Sequence, residues 1–215
     1  MRSALIAMLA AGTMAGSAAQ APQPVGGPIA TVPVPPGDGP SRALGRPNRG
    51  LLLNGVQLPS EGEWYRTWDP ILKRSPNRGW RRWGTTRLLS VLEQVAAERA
   101  LDDPAAPPLL IGDLSRPHGG AFGKRYGGLG HASHQNGLDA DVYYPRRDGL
   151  PLAAYKPSQV DRRAAQDLVD RFVAAGAQYV FVGTALGLRG PRRVVQVLAH
   201  HNDHLHVRLR PGAGA

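Results

Sequence analysis

Apolar residues recur at helical spacing in two stretches of this chain and at strand spacing in five others. After Gly84, the residues Leu88, Leu92 and Val95 fall on one helical face, with Thr85 or Thr86 placed to cap it. A second helix is predicted after Pro157. Ser158 and Asp161 offer a capping-box-like start, Ala165, Leu168, Val169, Phe172 and Val173 make the apolar stripe, and Gly176 supplies the stop. Strands are predicted over residues 108–113, 138–144, 179–182, 193–198 and 205–209, the second and the last with apolar and polar residues alternating. Helices and strands mix without a strict βαβ rhythm. The expected class is therefore α+β, a central antiparallel sheet flanked by helices.

The ends read differently. Met1-Arg2 precedes an apolar run at residues 4–11, and small residues continue to Ala21, the pattern of a secretory signal over residues 1–21. Residues 22–49 are rich in Pro and Gly and read as an extended linker, leaving a folded domain over residues 50–211. No later segment is long and apolar enough to span a bilayer. With 215 residues, 42% of them hydrophobic and 20% charged, the chain suffices for one domain with a real core. Its charge of +10 predicts attraction to polyanions, and charge alone does not choose among nucleic acid, anionic lipid and wall polymer. An exported chain argues against nucleic acid. There are no cysteines, which excludes disulfides, thiolate catalysis and cysteine-based zinc sites.

The seven histidines fall in two clusters, His118, His131 and His134 in one and His200, His201, His204 and His206 in the other. Any single histidine is more often a hydrogen-bonded or solvent-facing side chain than a ligand; the clustering is what weakens that account. In an extended segment Asp139 and Asp141 share one face while Leu138, Ala140 and Val142 point into the core. His134 precedes the turn Asn136-Gly137, which can fold it back beside that strand. His204 and His206 likewise share a face in front of Leu205, Val207 and Leu209. His134, Asp141 and His206 supply two imidazoles and a carboxylate, an acceptable set for a catalytic zinc with water in the fourth position. His204, not needed as a ligand, suits the general base. The chain holds no His-Glu-x-x-His, no Ser-x-x-Lys, no Gly-x-Ser-x-Gly and no P-loop, so metal-assisted hydrolysis is the chemistry that remains.

The spacings His134-x6-Asp141 and His204-x-His206 resemble the signature of the zinc peptidases grouped around lysostaphin-type enzymes, D-Ala-D-Ala metallopeptidases and hedgehog-like domains. The strings GHASHQNGLDAD, from Gly130 to Asp141, and HLHVRL, from His204 to Leu209, resemble one branch closely, the penicillin-insensitive murein endopeptidases. The resemblance covers roughly residues 109–209. It implies a Zn2+ ion on the sheet, held by His134, Asp141 and His206, with His204 as base or stabiliser of the tetrahedral intermediate. His201 and His131 fall on further active-site histidines of that branch, and Asp139 is a candidate for a supporting or substrate-contacting role. The implied substrate is the D-alanyl to meso-diaminopimelyl bond that cross-links peptidoglycan, met in the periplasm or cell wall; the family resists penicillin because no serine is acylated, which agrees with the absent Ser-x-x-Lys.

Two departures stand out. The dipeptidase branch has Ser two residues before its first ligand and Ala two before its Asp, where this chain has Ala132 and Asp139. The murein endopeptidases carry cysteines and this chain has none. Arg116 and Gln135 are candidates for contacting the scissile peptide, equally well explained as a surface arginine and a loop-structuring glutamine. Residues 119–130 read as a mobile loop bordering the cleft. Trp80 and Trp83, among Arg78, Arg81 and Arg82, could stack on sugars, though packing ahead of the first helix is the simpler account. The alternatives to a cross-link endopeptidase are a D,D- or L,D-carboxypeptidase on murein stems, a non-catalytic wall-binding module, and, on charge alone, a secreted nucleic-acid binder.

Overall fold

The computed structural model describes residues 39–212. The expected leader and the expected linker as far as residue 38 lie outside the described residues. The rest of that linker is folded. Strands β1 (Arg42–Arg46) and β2 (Arg49–Leu53) pair as an antiparallel hairpin, and Leu51 bridges on to Gly119. Only Ala43 and Leu52 of this hairpin are buried. Two inward residues leave no alternation to detect against a Pro/Gly-rich background, so the start expected near Leu51 falls inside β2.

Short strands β3 (Val56–Gln57), β4 (Tyr65–Thr67) and β5 (Trp83–Gly84) follow, β3 pairing with β5 ahead of the first helix. Helix α1 (Thr86–Asp102) starts at Thr85, whose hydroxyl accepts from the Leu88 amide at 3.2 Å. Helix α2 (Arg162–Ala174) starts at Asp161, whose carboxylate accepts from the amides of Arg163 and Ala164. Ser158 is not the cap; it lies in a preceding 3-10 turn, Pro157–Gln159. Past α2, Gly176 adopts φ +80°, the left-handed conformation that ends helices.

The main sheet has six strands: β4, β6 (Leu109–Ile111), β7 (Asp139–Tyr143), β8 (Ala177–Val182), β9 (Val195–Val197) and β10 (His204–Leu209). Their order is β4-β6-β7-β10-β8-β9. The centre, β6-β7-β10-β8, is antiparallel as the sequence predicts. The two edge pairs, β4 with β6 and β8 with β9, are parallel, so the sheet is mixed and the class is α+β.

One face of this sheet is dry. Leu88, Leu92 and Val95 from α1 and Leu168, Val169 and Phe172 from α2 are all fully buried, in one cluster with Ala140, Val142, Val180, Leu205 and Val207. Each such side chain contributes roughly 1.5–3 kcal/mol by leaving water. Because strand residues alternate faces, burying Ala140, Val142, Leu205 and Val207 against the helices turns Asp139, Asp141, His204, His206 and Arg208 to the opposite face. We expect Phe172→Ala to lower stability by about 3–5 kcal/mol in urea unfolding. Asp161→Ala should lower it by about 1 kcal/mol through loss of the cap. A core in which Phe172 does not pack would show no such difference between the two.

Candidate metal centre

Strand register brings the polar residues together. His206 on β10 lies directly opposite Asp141 on β7, with Arg208 opposite Asp139 and His204 opposite Tyr143. A slip of one residue would send either strand's polar set into the core, so the apolar face enforces the polar one. His134 arrives from the loop before β7. Its backbone takes φ +66°, rare for a residue with a Cβ, and the chain then reverses at Gly137, φ +75°. A Cβ at Gly137 would meet the buried Leu52 side chain at 2.7 Å, so glycine is required on both counts. The result is a buried imidazole whose Nδ1 lies 2.8 Å from the carbonyl oxygen of Leu114.

Three ligand-type atoms face one another in this arrangement. His134 Nε2 lies 3.2 Å from His206 Nδ1, and Asp141 Oδ1 lies 3.3 Å from the first and 3.4 Å from the second. Bonds of about 2.0–2.1 Å to a tetrahedral ion separate neighbouring ligands by about 3.3–3.4 Å. The protons also fit. A carbonyl oxygen only accepts, so His134 Nδ1 must donate to Leu114, which leaves Nε2 with a lone pair. His206 Nε2 donates to Asp139 Oδ1 at 2.7 Å, so Nδ1 is the nitrogen that gains a lone pair when the ring loses its second proton. Asp141 Oδ1 is buried without a hydrogen-bond partner among the described residues. With His206 neutral, these three atoms are spaced as the ligands of a tetrahedral ion would be.

The supporting shell is built from pairs. Asp139 accepts from both His206 and Arg208, the latter at 2.6 Å. Burial works against its charge, but those donors and the neighbouring His134 hold its carboxyl down at about 2. Burial also disfavours charge on His206, yet the Asp139 and Asp141 carboxylates outweigh it and hold the imidazole up at about 9. Burial opposes charge on Asp141 too, and the adjacent His134 and His204 still keep it well below the usual carboxylate range. His134, fully enclosed, is pushed down by burial.

His131 joins from the other side. Its Nε2 lies 2.8 Å from Asp113 Oδ2, and its Nδ1 faces Asp141 Oδ2 at 3.7 Å. His131, His134 and Asp141 offer atoms within 4.8 Å of one another and form a group able to hold a metal. The triangle with His206 is tighter and closes on one Asp141 oxygen, whereas His131 addresses the other. His204 Nδ1 bonds Asp203 Oδ1 at 2.8 Å, and its Nε2 stands 3.7 Å from Asp141 Oδ1. His201 packs its ring 5.0 Å from that of His204 and is tied to the Ala199 carbonyl.

These groups line a cleft of about 820 Å³. His118 is exposed and takes no part in it. Arg116 and Gln135 are not among its lining residues. Arg116 bonds the Ala121 carbonyl and lies over the Tyr126 ring, and the Gln135 backbone ties the loop to Pro47 and Gly120. Of residues 119–130, Gly127 to Gly130 do border the cleft, while Tyr126 is pinned against Trp80 and Phe122. Trp80 packs, as expected, against this aromatic group and the buried Arg81. Sequence reasoning missed Asp113, Arg81, Asp203 and Arg208. Asp203 and Arg208 sit at fixed offsets from the His204/His206 pair and could have been proposed as their partners. Arg81 and Asp113 are 32 residues apart and no local pattern joins them.

Residues 43–181 match the family described as penicillin-insensitive murein endopeptidase. The chain is 30% identical over 209 residues to a penicillin-insensitive murein endopeptidase from Haemophilus influenzae, covering 85% of this chain and 68% of that protein. It is 28% identical over 210 residues to the protein of the same name from Escherichia coli strain SE11, covering 84% and 69%.

Metal binding at this centre must displace the proton that His206 holds up to about pH 9. Metal affinity should therefore rise about tenfold per pH unit from about pH 7 to 9, with close to one proton released per ion. Without metal the sign is opposite: the charged His206 stabilises the fold fully below its unfolded pKa, and that contribution fades as pH rises through about 9. Asp139→Asn should weaken metal affinity about 10–100-fold and move the pH dependence to lower pH. Chelator competition across a pH series measures all three; a pH-independent affinity would contradict the protonation scheme.

Proposed function

This chain belongs to the penicillin-insensitive murein endopeptidase family, and from that premise we propose that it is an exported zinc peptidase hydrolysing the D-alanyl to meso-diaminopimelyl cross-links of peptidoglycan. The observation that carries the proposal is the triangle of His134 Nε2, Asp141 Oδ1 and His206 Nδ1, with edges of 3.2–3.4 Å. Two nitrogens and one carboxylate oxygen at tetrahedral spacing favour zinc over the hard, oxygen-seeking cations. When bound, zinc polarises the scissile carbonyl and brings the pKa of water toward about 7.

The remaining steps fall to side chains. Asp203 fixes the His204 ring, so that His204 Nε2 is the nitrogen turned toward Asp141 and the cleft. There it takes the proton of the attacking water as the water oxygen bonds to the carbonyl carbon. It returns that proton to the amine nitrogen as the amide C–N bond breaks, leaving a carboxylic acid and a free amine. His201 and His131 flank the reacting position. His131 is held by Asp113, which Arg81 and Asn77 anchor in turn. Asp139 keeps His206 in the tautomer that presents Nδ1.

A cleft of about 820 Å³ lies at the upper end of the range for small-ligand sites and has room for several residues of peptide, which favours a cross-link over a terminal residue. A non-catalytic wall-binding module has no use for a His204 that Asp203 orients with its Nε2 left open beside the triangle. The net charge of +10 suits a polyanionic wall, and no helix among the described residues is long and apolar enough to cross a membrane.

Zinc-loaded protein incubated with purified sacculi should convert muropeptide dimers to monomers, and penicillin should leave the rate unchanged. His206→Ala should lose zinc and at least about 10³-fold in rate. His204→Ala should keep its zinc and lose about 10²–10⁴-fold. Dimers that persist while terminal residues disappear would reassign the chain as a carboxypeptidase; binding to sacculi without any product would make it a binding module.

A further inference from the structure

Two arginines line the cleft, and they differ in how their nitrogens are used. Arg81 is buried and fully engaged: Nε and Nη2 donate to Asp113 and Nη1 donates to the Tyr126 carbonyl. Arg208 spends only Nε, on Asp139 Oδ1 at 2.6 Å. Its Nη1 and Nη2 have no hydrogen-bond partner among the described residues, and the side chain is 17% exposed. The guanidinium rests 5.7 Å from the centre of the Phe181 ring, which, with the Asp139 bond, fixes the plane of the fork. Four N–H groups on a rigid, positively charged edge are thus left open to the cleft.

The position of that edge matters. Asp139 Oδ1 accepts from both Arg208 Nε and His206 Nε2, so the fork stands two hydrogen bonds from the imidazole of the metal triangle. That separation is about one to two residues of extended peptide. We propose that Arg208 determines specificity by binding a substrate carboxylate next to the scissile bond through its free Nη edge. The proposal rests on the cross-link hydrolase assignment above. In a diaminopimelyl cross-link, the carbon bearing the amide nitrogen also bears a carboxylate, which places that group beside the bond to be cut. A planar fork matches a carboxylate through two parallel, charge-assisted hydrogen bonds. An amide at the same place turns a donor toward a donor and carries no charge, so an amidated wall peptide is excluded.

The test uses zinc-loaded wild type and Arg208→Gln on two muropeptide dimers, one with the free carboxylate beside the cross-link and one with its carboxamide. Calorimetric binding of the two corresponding cleavage products, tripeptides ending in diaminopimelate or its amide, is measured in parallel. We expect wild type to prefer the acid about tenfold or more in kcat/KM and in product binding. The Gln variant should lose that preference in both while retaining its zinc. Equal treatment of acid and amide products by wild type, or a preference that survives in Arg208→Gln, overturns the role of Arg208. If neither dimer is cut yet the products are discriminated through Arg208, the hydrolase assignment fails and the carboxylate site stands.

Discussion

A buried carboxylate oxygen with no donor of its own is the constraint around which the rest of this molecule is arranged. Asp141 Oδ1 sits between two imidazole nitrogens, and each ring is tied to its outer partner through the nitrogen on its far side. Taking such a charge out of water costs several kcal/mol unless a positive charge meets it. Protonated His206 supplies such a charge, and the Asp139 and Asp141 carboxylates beside it outweigh burial and hold its imidazole up at about 9. A divalent ion supplies it better, since it satisfies all three inward acceptors together. On the proposed function the same three atoms would hold either a proton or the ion, and the two would compete.

Holding that arrangement requires rigidity in places remote from it. The helices contribute nothing to the chemistry, but α1 and α2 bury the apolar halves of β7 and β10 and so fix which half faces the cleft. The hairpin of β1 and β2 does similar work on the loop side. Leu52 fills the space beside Gly137, where the turn after His134 has room for no side chain, and the Gln135 amide bonds back to Pro47. His134 then holds a left-handed backbone that an unsupported loop would not keep. The loop, not the sheet, is the strained part of the centre.

Each inward histidine has an outward partner of a different kind: a backbone carbonyl for His134, Asp139 for His206, Asp113 for His131, Asp203 for His204. A carbonyl fixes a tautomer without adding charge, whereas a carboxylate fixes it and raises the basicity of the ring. Burial holds His134 below the ordinary histidine range; against the same burial, Asp141 with Asp203 raises His204 above it, and Asp139 with Asp141 raises His206. Rings of one residue type are thereby set to separate tasks by what stands behind them.

The sequence by itself determined the two helices, the antiparallel centre of the sheet, the face on which Asp139, Asp141, His204 and His206 lie, and the grouping of histidines that points to a metal. The helices, the faces and each histidine group are short-range, carried by periodicity, capping residues and close spacing, while the antiparallel centre follows from a mix of elements without a βαβ rhythm. The tertiary structure alone decided the register that sets His206 opposite Asp141, the burial of Arg81 against Asp113, and the exclusion of His118, Arg116 and Gln135 from the cleft. It also decided that the Pro/Gly-rich stretch around Arg42–Leu53 is a hairpin. Those outcomes depend on contacts between residues far apart in the chain, whose energies come from packing and from the pairing of buried charges, and no local pattern encodes which partner each will meet.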